Sequence, residues 1–238
     1  MVFDARNYDY RALNDQIRET KSCDIKHCIG QRFLAAGMKT QNIRIHGIPG
    51  NALGAYLAGA KITCLDNAQD AVGDTMNSGR IVVHGNIGDT AGYAMRGGKI
   101  FVKGSAGYRV GIHMKEYHEK KPVIVIGETC GSFLGEYQAG GVLVVLGLHK
   151  GKKPLVGNFP CTGMHGGKVF LRGNISNISF PKNVTVHEAT AADLKELKPY
   201  LTEFCKLFGY TPEEILREPF SVVVPDSHNP YKQMYVAN

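Results

Sequence analysis

The residues whose type and spacing best suit chemistry are Asp70 and Asp89, 19 positions apart at the same point of a repeated phrase. Carboxylates stacked on neighbouring turns would work as an acid/base pair or hold a cation, because like charges at short range raise one pKa or recruit a counter-ion. A sugar-cleaving enzyme needs such a pair at fixed separation. The competing reading is two solvated turn aspartates. The histidines are less ordered: His46 and His84 share a repeat position that Leu65 interrupts, and His113, His118, His149 and His165 fall in turns or long loops. Cys23, Cys28, Cys64, Cys130, Cys161 and Cys205 form no C-x-x-C pair, and only Cys23 and Cys28 with His27 approach a metal-ligand set. No Ser/His/Asp or Cys/His arrangement is defensible. The residues therefore point to a scaffold, with no catalytic, cofactor-binding or metal residue expected on this chain.

The elements that position these residues follow from an internal period. The phrase Gly79-Arg-Ile-Val-Val-His-Gly85 recurs at 98–104, 141–147 and 167–173, and degenerate copies close at Gly47, Asp66 and Gly127. Closing positions at 47, 66, 85, 104, 127, 147 and 173 define seven copies. Four residues before each close stand Ile43, Ile62, Ile81, Ile100, Val123, Leu143 and Val169; two before it stand Ile45, Cys64, Val83, Val102, Val125, Val145 and Leu171. Two apolar columns at period 2 describe a strand with one buried face, and units of about 20 residues are too short for a crossover helix. A coil of parallel strands satisfies both. The expected fold is an all-β solenoid, a single-stranded right-handed parallel β-helix of about seven rungs with helical flanks.

Glycines turn the corners. The pattern G-x-x-G-x-x-x-G appears at Gly47, Gly50 and Gly54, at Gly85, Gly88 and Gly92, and at Gly104, Gly107 and Gly111. A looser copy is Gly127, Gly131 and Gly135; Gly73, Gly147 and Gly173 complete the structural set. No G-x-G-x-x-G opens a helix after a strand and no P-loop pattern occurs, so these are corner glycines rather than phosphate cradles. Hexapeptide-repeat acyltransferases run in strict sixes, which this spacing does not.

Residues 1–40 are expected to form an N-terminal helical cap, 41–188 the β-helix and 189–238 a C-terminal helical flank and tail, all within one structural domain. Tyr10, Leu13 and Ile17 share a helix face, which Ile29, Phe33 and Leu34 are expected to extend. Thr190 with Asp193 resembles a capping box, Gly209 is a stop, Pro199 is expected to split or kink the helix between them, and Thr211-Pro212 opens a second helix. Both flanks would cover open terminal rungs. Three residues before the close, side chains should point outward, yet Val82, Phe101, Ile124, Val144 and Phe170 are apolar. Such a strip is covered by the C-terminal helices or by a partner protein.

The 238 residues are 43% hydrophobic and 21% charged, enough for a packed core. Apolar runs such as 142–146 have strand length, so no membrane span is expected. The first residues lack a secretory pattern, which favours a cytoplasmic location and reduced thiols. A net charge of +7 is spread along the chain without interleaved aromatics, so nucleic acid is not an expected partner.

Several phrases carry a family resemblance: Gly50-Asn-Ala-Leu-Gly54, Asp66-Asn-Ala-Gln-Asp-Ala-Val-Gly73, Gly135-Glu-Tyr-Gln-Ala-Gly-Gly141, and Gly157-Asn-Phe followed by Gly163-Met-His-Gly-Gly167. They resemble the C-terminal glycine-repeat (GXGXG) domain of the glutamate synthase large (alpha) subunit, here in stand-alone form. The resemblance covers about residues 11–190. It implies a right-handed β-helix without catalytic residues, serving a complex in which glutamine-derived ammonia converts 2-oxoglutarate to glutamate. It also implies glutaminase-type and flavin/iron-sulfur partner subunits that carry the FMN and the iron-sulfur clusters, with a homo-oligomer left open. The same domain family resembles a subunit of formylmethanofuran dehydrogenase, a tungsten or molybdenum enzyme, and domain likeness does not choose between complexes. An independent β-helix enzyme using Asp70 and Asp89 is the third reading. The insertion at 149–153 and the tail after Phe220 depart from the family pattern.

Overall fold

A computed structural model describes residues 1–226. The chain opens with β1 (Val2–Asp4) and α1 (Tyr10–Arg18), then coils through β2 (Ser22–Ile29), β3 (Asn42–Ile48), β4 (Ala58–Cys64), β5 (Ser78–Val83), β6 (Lys99–Val102), β7 (Val123–Ile126), β8 (Ala139–Val145) and β9 (Gly166–Arg172). It ends with β10 (Val184–Glu188), α2 (Ala191–Phe208), α3 (Pro212–Ile215) and β11 (Phe220–Pro225). From β1 to β9 each strand pairs in parallel with the next. The fold is the expected all-β solenoid, with about eight turns.

The extra turn is β2, which lies where the sequence suggested a continued helical cap. A bulge between Ile25 and Cys28, at their pairing with β3, adds a residue and breaks the period-2 signature. Ile29 therefore ends a strand and is exposed, and Phe33 and Leu34 lie in the following turn, not on a helix. The helical part here is a single 3-10 turn at Ala5–Asn7 and α1; Asp9 caps α1 by accepting from the Arg11 and Ala12 N–H groups, and Leu13 and Ile17 are buried.

Register supplies the main correction. Ile124 pairs with Ile100 and Leu143, whereas Val125 pairs with Phe101 and Val144. Ile124 and Ile126 thus face the interior, and Val123 and Val125 face outward. The close of this rung is Glu128, not Gly127: the Glu128 N–H donates to the Gly104 carbonyl and the Gly147 N–H to the Glu128 carbonyl. All four residues of β7 are apolar and buried, so its own pattern does not distinguish its faces; a one-residue slip exchanges them.

Corner glycines are required for two reasons. At Gly92, φ is +68°, and a Cβ there would collide with the Ile124 Cδ1 that fills the interior. At Gly88 the rung before it lies so close that a Cβ would collide with the Asp70 carboxylate.

The outward strip is covered. Phe101, Val125, Val144 and Phe170 form one buried cluster with Leu197, Leu201 and Phe204 of α2, each large side chain contributing about 1.5–3 kcal/mol of burial. Val82, one rung earlier, is also buried. Helix α2 starts with the Thr190/Asp193 capping box and stops at Gly209 in the left-handed conformation. Pro199 lies inside it without splitting it. The last rung is closed by strands, not helices alone: β11 pairs antiparallel with β9 and then with β10, which removes the open edge of β9. The tail beyond 226 lies outside the described residues.

Candidate functional site: stacked polar columns and the face beneath α2

Asp70 and Asp89 are rung neighbours, but their polar atoms serve the backbone. The Asp89 N–H donates to Asp70 Oδ1 at 2.9 Å, and the Tyr108 N–H donates to Asp89 Oδ1 at 2.8 Å. Asn51 Oδ1 begins the column by accepting from the Asp70 N–H at 3.2 Å. A second column runs from Asn67 through Asn86 to Ser105, with the Asn86 and Ser105 N–H groups donating to the preceding side chains at 2.7 and 2.8 Å. Each side chain satisfies a corner N–H that lies outside the strand ladder. Asn in place of Asp at the head of the column shows that the acceptor oxygen, not the charge, is what the position uses. The two aspartates therefore form a structural ladder rather than a converging acid/base pair.

The remaining chemistry-bearing groups are dispersed. His46 contacts Asp24 and Lys26, His149 contacts Glu128, and His187 contacts Asp193. His113 stacks on Tyr137 with ring centroids 5.2 Å apart. All six thiols are free and buried. Burial pushes Cys28 and Cys161 up to about 12 and Cys64 and Cys205 up to about 11, with nearby Cys64 adding to the rise at Cys28 and Glu213 and Glu214 to that at Cys205. Such thiols are poor nucleophiles. Among the described residues, no three His, Cys, Asp or Glu side chains converge as a metal set, and no helix is long and apolar enough to cross a membrane.

The outer face carries an ordered column of cations. Lys61, Arg80 and Lys99 stand in register on β4, β5 and β6, immediately before the inward isoleucines, and Lys168 holds the corresponding place on β9. Helix α2 lies across these strands with its carboxylates aimed at that column. Glu203 bridges Arg80 at 3.0 Å and Lys99 at 2.6 Å; Glu196 bridges Lys121 at 2.5 Å and Lys168 at 2.9 Å; Asp193 meets Lys168 at 2.8 Å. Burial works to raise the pKa of all three carboxyls, but hydrogen bonds from these cations, and from Thr190 and His187 at Asp193, hold them below the ordinary range. The repeat phrases G-R-I-V-V-H-G and G-K-I-F-V-K-G already placed a cation after the opening glycine. Its partners, 100 or more residues away for Arg80 and Lys99, were not deducible from spacing.

Beside Glu203, a cavity of about 340 Å³ is lined by Lys61, Arg80, Lys99 and Lys121. A different face, at the left-handed corners, exposes aromatic rings including Tyr56, Tyr108 and Phe159, with the Arg109 guanidinium 5.0 Å from the Phe133 ring centroid.

The fold and its surface define a glycine-cornered parallel β-helix whose stacked polar side chains accept from its own backbone and whose outer face holds a helix by ion pairs. The chain belongs to the GXGXG-motif family, whose model matches residues 9–226. It is 44% identical to the uncharacterized protein MJ1350 of Methanocaldococcus jannaschii over 251 aligned positions, covering 99% of this chain and 96% of that protein. Its fold is similar to a chain of the formyltransferase/hydrolase complex FhcABCD from Methylorubrum extorquens, crystallised with methylofuran. There the TM-score is 0.62 at 19% identity, covering 90% of this chain and 86% of that one.

Proposed function

We propose that this chain is a non-catalytic scaffold subunit of a multi-subunit enzyme, and specifically of a glutamate synthase-like complex. Family membership supports the scaffold role, and the observation that carries it is the Asp70–Asp89 ladder: the carboxylate pair that the repeat stacks on neighbouring rungs is aimed at backbone N–H groups. In such a complex the glutaminase-type subunit releases ammonia. The subunit with flavin and iron-sulfur centres supplies electrons for reductive amination of 2-oxoglutarate. The β-helix offers a rigid rod against which both are oriented.

A second reading has its own support. The similar chain in the formyltransferase/hydrolase complex favours a scaffold for one-carbon chemistry of the formylmethanofuran dehydrogenase kind. Affinity purification of the tagged full chain from its own cells, with mass spectrometry of what accompanies it, separates the two. Glutaminase-type and flavin/iron-sulfur subunits support the first reading; pterin-enzyme or formyltransferase subunits replace it with the second. A chain that elutes alone overturns both.

A further inference from the structure

Helix α2 covers only part of the outer face. It spans 18 residues, about 27 Å at 1.5 Å per residue, and strands lie about 4.8 Å apart, so it crosses five or six of them. Its carboxylates reach from Lys168 on β9 to Arg80 on β5, and its last residue, Phe208, packs edge-on against His84 with ring centroids 5.2 Å apart. Beyond that contact the same face continues across β4 and β3 without a helix over it.

This uncovered part remains basic: Asp24, in register with Arg44 on β2, is engaged by Lys26 at 3.9 Å and His46 at 3.3 Å. Lys61 extends the column that α2 engages, and its neighbours in that column, Arg80 and Lys99, share a single carboxylate, Glu203. Arg44 on β3 and Lys103 at the end of β6 lie on the same outward side. All three side chains are exposed and, among the described residues, none of them makes an ion pair. Their charges converge: burial lowers the pKa of His84, and Lys103 and Arg44 lower it further, so the histidine at the edge of the patch already senses both cations. Residues 227–238 contain no Asp or Glu.

We infer that the outer face of β3–β6 beyond Phe208, with Arg44, Lys61 and Lys103, docks an acidic segment of a partner subunit. The chain provides the template for this contact, since α2 is held on the same face by carboxylates set against the same basic column. The segment continues past the end of α2 and spans β3 to β6, about 14 Å at the strand spacing. Thr63 and Arg44 replace the apolar strip here, so attraction is mainly electrostatic and weakens with salt.

The inference rests on the scaffold reading, and one experiment tests the two separately. The complex is purified with tagged full-length wild type, with Arg44→Glu/Lys61→Glu/Lys103→Glu, and with the charge-conserving Arg44→Lys/Lys61→Arg/Lys103→Arg. Thermal unfolding of each isolated chain checks that the fold is intact. The wild-type complex is also treated with a water-soluble carbodiimide, which joins a lysine amine to a carboxylate with loss of water, and the linked peptides are sequenced. The expected result is about a tenfold or greater loss of one partner subunit with the glutamate variant and retention with the conservative one. It includes amide links from Lys61 or Lys103 to Asp or Glu of that subunit, and release of the subunit between about 0.1 and 0.5 M salt. Subunits that co-purify equally with all three chains, without such links, overturn this inference alone. Nuclease-sensitive nucleic acid on the wild type that is lost from the glutamate variant also overturns it. Recovery of no subunit with wild type overturns both readings.

Discussion

Asp70 accepts the backbone N–H of Asp89 at 2.9 Å, so two carboxylates that would suit an acid/base pair are instead consecutive links of a backbone-supporting ladder. The oxygen matters more than the charge. Asp70→Asn retains the acceptor and should change unfolding free energy by less than about 0.5 kcal/mol, whereas Asp70→Ala should cost about 0.5–1.5 kcal/mol. Urea unfolding of the two variants measures this. Activity of the assembled complex should be unaffected by Asp70→Asn/Asp89→Asn; a large loss would restore the catalytic reading.

The register of β7 makes opposite predictions for adjacent residues. Ile124 lies in the interior column and Val125 in the layer under α2. Ile124→Asp places an unpaired charge inside the coil and should cost more than about 4 kcal/mol, leaving little folded chain. Val125→Asp should instead release α2, exposing its amides to hydrogen exchange while the amides of β3–β6 remain protected. Equal behaviour of the two variants would contradict the register.

Acid should loosen α2 before the coil. Asp193, Glu196 and Glu203 all titrate below their ordinary values in the folded chain. Their stabilisation is therefore complete above the unfolded value of about 4 and disappears as pH falls through the folded values. Asp193 is the least exposed, with 8% of its side chain accessible. Asp193→Asn should lower stability at neutral pH and flatten the decline below about pH 4. Urea midpoints across that range read the slope, and a variant as acid-sensitive as wild type would remove Asp193 from the account.

The thiols should be inert in the native state. Burial raises the pKa of all six cysteines. An aromatic disulfide reagent should titrate less than one thiol per native chain on the timescale in which it titrates all six in denaturant. Rapid reaction of a single native thiol would mark a site that opens.

The rungs that share the 19-residue period are legible because the inward positions are apolar and glycine recurs at the same corner positions, such as Gly54, Gly73, Gly92 and Gly111. Ile43, Ile62, Ile81 and Ile100 lie where the period placed them, in register. The failures have local causes. The bulge of β2 breaks the alternation that marks a strand, and the four apolar residues of β7 carry no polarity signal to tell its faces apart.

What the sequence determined by itself was the repeat: strand length, corner chemistry and the existence of an outward apolar strip, all set by side-chain type at positions a few residues apart. What only the tertiary structure decided was who pairs with whom. Strand register, the seat of α2 on that strip, the meeting of Glu203 with Arg80 and Lys99, and the direction of the Asp70 and Asp89 oxygens depend on segments brought together by coiling. Hydrogen-bond geometry between neighbouring rungs selects among partners that one-dimensional spacing leaves equivalent.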